Sequence, residues 1–167
     1  LARIGLAVDR FELLHDQRED VRKQLVELYE TTPYRTVLDS IPGVGPESHA
    51  LLLGFVGDPK RYDHASCLAK LAGTAPRENS SGQAEGSHSI SRRGRSRLRH
   101  VVHRIVMGFQ LANRQFAAYL ERLRRREKNP LAWHQAAVAA GNKYLRLVYH
   151  MCVEGRSYDP SKLEPRT

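Results

Sequence analysis

The sequence predicts an all-α fold: a helical domain with a helix-hairpin-helix and one long loop, preceded by a coiled-coil-like helix. Three observations carry this. Apolar residues recur at three- and four-residue spacing along most of the chain. Between two such runs, Ile41 to Gly57 (IPGVGPESHALLLGFVG) holds the glycines and prolines of a tight hairpin, and the stretch Gly73 to Gly94 has no apolar periodicity at all. At 167 residues and 41% hydrophobic, the chain can bury one core plus a helical extension.

In order, Leu1 to Tyr29 reads as a helix whose Ile4, Ala7, Phe11, Leu14, Val21, Leu25 and Leu28 keep coiled-coil spacing, with Arg18 interrupting the seam. Such a stripe serves either a dimer seam or one amphipathic helix packed on its own domain. Thr31, Thr32 and Pro33 stop it, so residues 1–32 form the end of a coiled-coil helix and 33–155 the main domain. A short helix over Tyr34 to Ser40 opens the hairpin unit, residues 34–57. There Gly43 and Gly45 permit the turn, and Pro46 suits the first turn of the next helix. Backbone N–H groups of such a hairpin face nucleic-acid phosphates in a contact without sequence information, although a plain helix-turn-helix corner has the same string. Asp58 to Tyr62 is a turn and His64 to Ala72 a short helix.

Residues 73–99 are the serine and arginine loop. From Arg95 a helix resumes, with Leu98, Val102, Ile105, Phe109 and Ala112 on one stripe and Arg93, Arg97, His100 and Arg104 opposite. Phe116 to Lys128 continues as helix, its Arg122, Arg124, Arg125 and Arg126 forming a solvated face. Asn129 reads as an N-cap and Pro130 as the first residue of a last helix that buries Trp133, Ala137, Ala140, Tyr144, Leu147, Val148 and Met151 and ends at Gly155. Residues 156–167 are a tail.

Charge bounds the partner. With 27 Lys+Arg against 18 Asp+Glu, the net charge is +9 and the pI about 9.9, which favours a polyanion. No acidic residue falls between Gly86 and Leu120, where seven arginines do, whereas a merely solubilising face mixes both signs. Cys67 and Cys152 form no CxxC pair and are expected as reduced thiols of an intracellular protein. No apolar run approaches the ~20 residues of a membrane span. The chain opens on Leu in mid-pattern and reads as a piece of something longer.

The candidate chemistry sits in Leu71 to Arg99. Five of the nine residues from Ser91 to Arg99 are arginine (Arg92, Arg93, Arg95, Arg97, Arg99), and Ser80, Ser81, Ser87, Ser89 and Ser91 precede them. Guanidiniums present a fork of donors that matches phosphate oxygens, and an activated hydroxyl can attack phosphorus. Arg77 joins this set as a further phosphate contact. His100 and His103 lack a third ligand at metal spacing, and Asp58, Asp63, Glu78 and Glu85 show no metal-binding pairing. On residues alone, Ser81 is better explained as a turn residue beside Gly82, its hydroxyl bonding its own backbone, than as a nucleophile.

Three ordered strings, SIPGVG (Ser40 to Gly45), LAKLAGTAPRENSSG (Leu68 to Gly82) and SRRGRSRLR (Ser91 to Arg99), together resemble one family. It is the C-terminal transposase domain of the insertion-sequence-110 (IS116/IS110/IS902-type) transposases and the related Piv-type DNA invertases, matched from about Asp39 to Asp159. The resemblance implies a DNA transposase or recombinase in which an N-terminal RuvC-like domain with a DEDD carboxylate set precedes a coiled coil and this domain. It implies a serine nucleophile at Ser81, beside Ser80, with the Ser81-Gly82 pair followed by Gln83 where many relatives carry another small residue. It further implies no cofactor in this piece, Mg²⁺ in the N-terminal domain, and inactivity without that domain. The implied partners are DNA and a structured guide (bridge) RNA, with a dimer or tetramer in the bacterial cytoplasm at the nucleoid and no membrane. Two other classes remain: a non-catalytic helix-hairpin-helix nucleic-acid-binding module, and an RNA-binding domain indifferent to DNA.

Overall fold

The computed structural model describes residues 2–79 and 87–163. Among them the chain forms seven helices and one two-stranded ribbon, so the all-α expectation holds. Helix α1 spans Ala2–Glu30, α2 Arg35–Leu38, α3 Pro46–Val56 and α4 Ser66–Ala72. Strands β1 (Pro76–Asn79) and β2 (Ser87–Ile90) follow, then α5 (Ser96–Ala112), α6 (Arg114–Arg125) and α7 (Trp133–Glu154).

Helices α5 and α7 pack on each other at the centre, α3 and α6 flank α5, α2 and α4 rest on α7, and α1 joins through α3. The reason is the apolar stripe of α5, where Leu98, Val102, Ile105 and Phe109 are buried, joined by Val101 and Val106. Phe109 is the hub: it stacks on Phe116 with ring centroids 4.3 Å apart and meets Tyr144 and Tyr158 edge-on at 5.7 and 5.9 Å. Such pairs add attraction beyond area burial.

Helix α1 leaves most of its stripe uncovered. Ile4, Phe11, Leu14, Val21 and Leu28 are exposed, and only Leu25 and Tyr29 pack on the core, beside an Arg22–Glu47 ion pair to α3. Packing on its own domain therefore accounts only for the last turns of α1.

Several expectations need correction. Helix α5 does not run on into α6: Asn113 turns extended, its Oδ1 accepting from Phe116 N at 2.8 Å and its Nδ2 donating to Tyr158 Oη at 2.8 Å. An amide that caps a helix start ends the preceding helix. Ala112 accordingly lies at the exposed end of α5, against Gly43, and not in the buried stripe. Asn129 is no N-cap. It adopts φ +55°, a region asparagine tolerates, and its carbonyl accepts from Arg126 Nε at 2.5 Å, so α7 starts later, at Trp133. Trp133 is 37% exposed at the edge of the core, whereas Tyr144 is fully buried. The tail folds back, with Leu163 buried and Tyr158 N donating to Ser40 Oγ at 2.8 Å. Gly155 ends α7 in the left-handed conformation, as expected.

Candidate nucleic-acid interface

The long loop is not irregular throughout. β1 and β2 pair antiparallel, Pro76 opposite Ile90 and Asn79 opposite Ser87. The ladder continues below them, Ser91 N donating to Ala75 O, Arg92 N to Gly73 O and Arg95 N to Leu71 O at 3.0, 2.9 and 2.8 Å. The strings PREN and SHSI carry no apolar alternation, and the main-chain ladder that pairs them leaves no mark on side-chain periodicity.

Two glycines allow the ends of the segment to meet. Gly73 caps α4 at φ +69°, and a Cβ on Gly94 would collide with Gly73 N and Leu71 O. A latch then ties this foot to the core. Thr74, buried, donates from Oγ1 to Asn142 Oδ1 at 2.5 Å, while Asn142 Nδ2 donates to Thr74 O at 3.0 Å. The hairpin is thus mounted on α7, a contact between residues 68 positions apart that no local motif signals.

The arginine cluster divides. Arg95 donates to Phe55 O in the last turn of α3, and Arg99 Nη1 to Ala72 O at the end of α4 at 2.9 Å. Each satisfies a carbonyl at a helix C-terminus, where a cation also opposes the helix dipole. Arg92, held at φ +51°, Arg93 and Arg97 are exposed, and none pairs with a carboxylate among the described residues. His100 and Arg104 extend that exposed face along α5. By contrast, Arg124 and Arg125 bond Glu121 at 2.7 and 3.1 Å, in keeping with a solvated face on α6. Ser81 and Ser80 lie outside the described residues, and Arg77 is described only as backbone of β1.

Gly43 and Gly45 belong to another end of the molecule. Gly43 sits at φ +78° where a Cβ would overlap Ala112 Cβ, so the packing of the hairpin on α5 requires glycine there. Gly45, with nothing near its Cβ position, precedes Pro46 at the start of α3. Phe55, which Arg95 grips, stands at the other end of that eleven-residue helix, roughly 15 Å away at 1.5 Å per residue. The hairpin glycines and the arginine foot are therefore two separate places.

Within α3, His49 is fully buried with its Nδ1 3.6 Å from Asp39 Oδ1, an oxygen that accepts from Tyr29 Oη at 2.6 Å. Neither ring nitrogen has a hydrogen-bond partner among the described residues. Burial pushes the imidazole down to about 4, against the opposing pull of Asp39. Cys152 is buried and its thiol pushed up to about 12 by desolvation, so it is an unreactive core residue. Among the described residues no three His, Cys, Asp or Glu side chains converge on a point, and no helix is long and apolar enough to cross a membrane.

Comparison with known proteins gives this surface a context. The chain is 30% identical over 146 residues to the insertion element IS110 uncharacterized 43.6 kDa protein of Streptomyces coelicolor, covering 87% of this chain and 35% of that protein. It is 25% identical over 148 residues to the IS116 counterpart of Streptomyces clavuligerus, covering 89% and 36%. It is 29% identical over 143 residues to the pilin gene-inverting protein of Moraxella lacunata, covering 81% and 43%. The chain thus spans between a third and a half of the length of these relatives. The model of the transposase IS116/IS110/IS902 family matches residues 35–121, just over half of the chain and the whole stretch from α2 through the arginine foot into α6, so the chain belongs to that family.

Proposed function

We propose that this chain is the DNA-engaging portion of a transposase or recombinase and that it supplies Ser81 as the nucleophile for strand cleavage and rejoining. One observation supports the reading above others: a paired ribbon, latched to α7, rises from a foot where Arg92, Arg93 and Arg97 stand without carboxylate partners among the described residues. Ser81 belongs to the segment that this ribbon brackets in sequence.

In the proposed step, Ser81 Oγ attacks the scissile phosphorus. An Oγ–P bond forms, the P–O3′ bond breaks, and the 3′ oxygen leaves as a hydroxyl after protonation. The phosphoserine ester keeps the bond energy, and attack by a 3′-hydroxyl in the reverse sense rejoins DNA and frees the serine. Guanidiniums at the foot stabilise the charge on the phosphate. The serine proton passes to a base outside this chain; Mg²⁺, held by the carboxylate domain that the family resemblance implies, would supply further charge stabilisation when bound. Arg95 and Arg99 contribute mainly by bracing the foot. The turn at Gly43 and Gly45 offers a second backbone contact to phosphate, of helix-hairpin-helix kind. A structured guide RNA suits the same arginine-bearing surface, and the uncovered seam of α1 suits a homodimer or tetramer.

In the full-length protein with a minimal element as substrate, Ser81→Ala abolishes recombination and the covalent protein–DNA adduct while keeping DNA affinity within about threefold. Recombination by Ser81→Ala refutes the assignment and makes Ser80→Ala the next variant. The second reading, a non-catalytic binding module, expects both variants to recombine normally.

A further inference from the structure

We propose that the groove between α5 and α7 takes up an unpaired stretch of DNA, one base stacking on the indole of Trp133. The proposal rests on the DNA-binding reading above but is independent of the serine.

The groove, of about 300 Å³, is lined by Thr74, His100, His103, Ala137, Val138 and Gly141 among others. Its floor is set by the close crossing of the two helices: a Cβ on Gly141 would stand 2.9 Å from Val102 Cγ1. Ala137, Val138 and Gly141 line the groove from α7, and His100 and His103 from α5. One turn before Ala137, Trp133 adjoins the groove through His103, which lines it: 37% of the tryptophan's surface is in solvent and its ring stands edge-on to His103 at 6.0 Å and 76°. That contact limits the orientations of the indole without covering it. Most other exposed large apolar side chains lie on α1, so a lone tryptophan here is unlike the rest of the domain surface.

Charge selects the occupant. Neither α4 nor α5 carries an acidic residue, and α7 carries none before Glu154. Arg99 lines the groove with its Nη1 on Ala72 O, while Arg97, which lines a neighbouring pocket with Phe55 and His100, and Arg104 project on the exposed face of α5 and form no ion pair among the described residues. Helices without acids near the groove, free cations on the exposed face of α5 and an open aromatic ring together match the recognition chemistry of unpaired nucleic acid: the backbone follows the cations and a base stacks on the ring. Duplex bases already stack on each other and offer no face. The occupant is DNA because the chain belongs to a transposase family and Thr74 both lines the groove and anchors the foot of the hairpin, so a strand held at that foot lies beside the groove.

Trp133 is the sole tryptophan of the chain, so its emission reports on this place alone. Oligo-dT titrated into the chain at low salt quenches that emission to saturation. Trp133→Leu weakens oligo-dT binding, read by anisotropy of a labelled strand, by about tenfold, the size of one base stack, and leaves a hairpin duplex within twofold. Trp133→Phe restores most of the loss. Binding of oligo-dT without quenching, an equal loss for duplex and single strand, or tighter binding of oligo-rU than of oligo-dT overturns the proposal. So does an indole in the longer protein that oligo-dT cannot reach, since another protein segment then covers the groove. Failure of the unsubstituted chain to bind either DNA form refutes the DNA-binding reading itself, which Trp133-independent binding leaves standing.

Discussion

Gly43→Ala separates two accounts of the hairpin glycine. If its role is to let α3's hairpin sit against the end of α5, an alanine is costly twice. The left-handed backbone at φ +78° costs an L-residue ~1 kcal/mol. The new methyl overlaps Ala112 Cβ, and overpacking of that kind adds about 1–3 kcal/mol. The sum, roughly 2–4 kcal/mol, lowers the urea midpoint by about 1–2 M at a slope near 2 kcal/mol per M. Ala112→Gly removes the opposing methyl. In that background Gly43→Ala should cost only the backbone part, ~1 kcal/mol, leaving a coupling of about 1–3 kcal/mol between neighbours in contact. The assay is urea unfolding of all four proteins of the cycle, followed by far-ultraviolet circular dichroism. Equal costs of Gly43→Ala in both backgrounds refute the close-approach argument. A stable Gly43→Ala protein that no longer binds DNA shows instead that the glycine is kept for phosphate contact.

The division of the arginines gives a second test: Arg92→Ala, Arg93→Ala and Arg97→Ala combined should leave the urea midpoint unchanged and flatten the dependence of log K on log salt by up to ~0.9 per lost phosphate contact, whereas Arg95→Ala should unfold at lower urea because it strips a carbonyl at the end of α3. Equal stability loss in both proteins sinks this division. The buried His49 gives a pH signature. Its folded value of about 4 lies below the ordinary 6.5, so the unfolded chain binds more protons between these limits; its contribution is intact above pH 6.5 and lost as pH falls towards 4. At ~1.4 kcal/mol per pH unit this window caps the loss at about 3 kcal/mol. Carboxylates titrate nearby, so the measurement is the slope difference between the unsubstituted chain and His49→Leu; no difference means the imidazole is solvated in the folded state.

What the residues alone determined is what each segment settles within itself. The helices α1, α5 and α7 were legible because an apolar stripe at helical spacing and the glycine at 155 act over a few residues. The absence of acids from Gly86 to Leu120 was legible because charge is additive along a chain, and the three strings from Ser40 to Arg99 pointed to the family now shown by comparison. The tertiary structure decided which of these groups are free to act. Arg95 and Arg99 look identical to Arg93 and Arg97 in the string SRRGRSRLR, yet carbonyls 40 and 27 positions away occupy them. The ribbon, the Thr74–Asn142 latch and the exposure of Trp133 likewise depend on which surface lies opposite each residue. Local periodicity records which side of a helix is apolar, whereas a donor's availability is set by whichever acceptor folding brings within 3 Å of it.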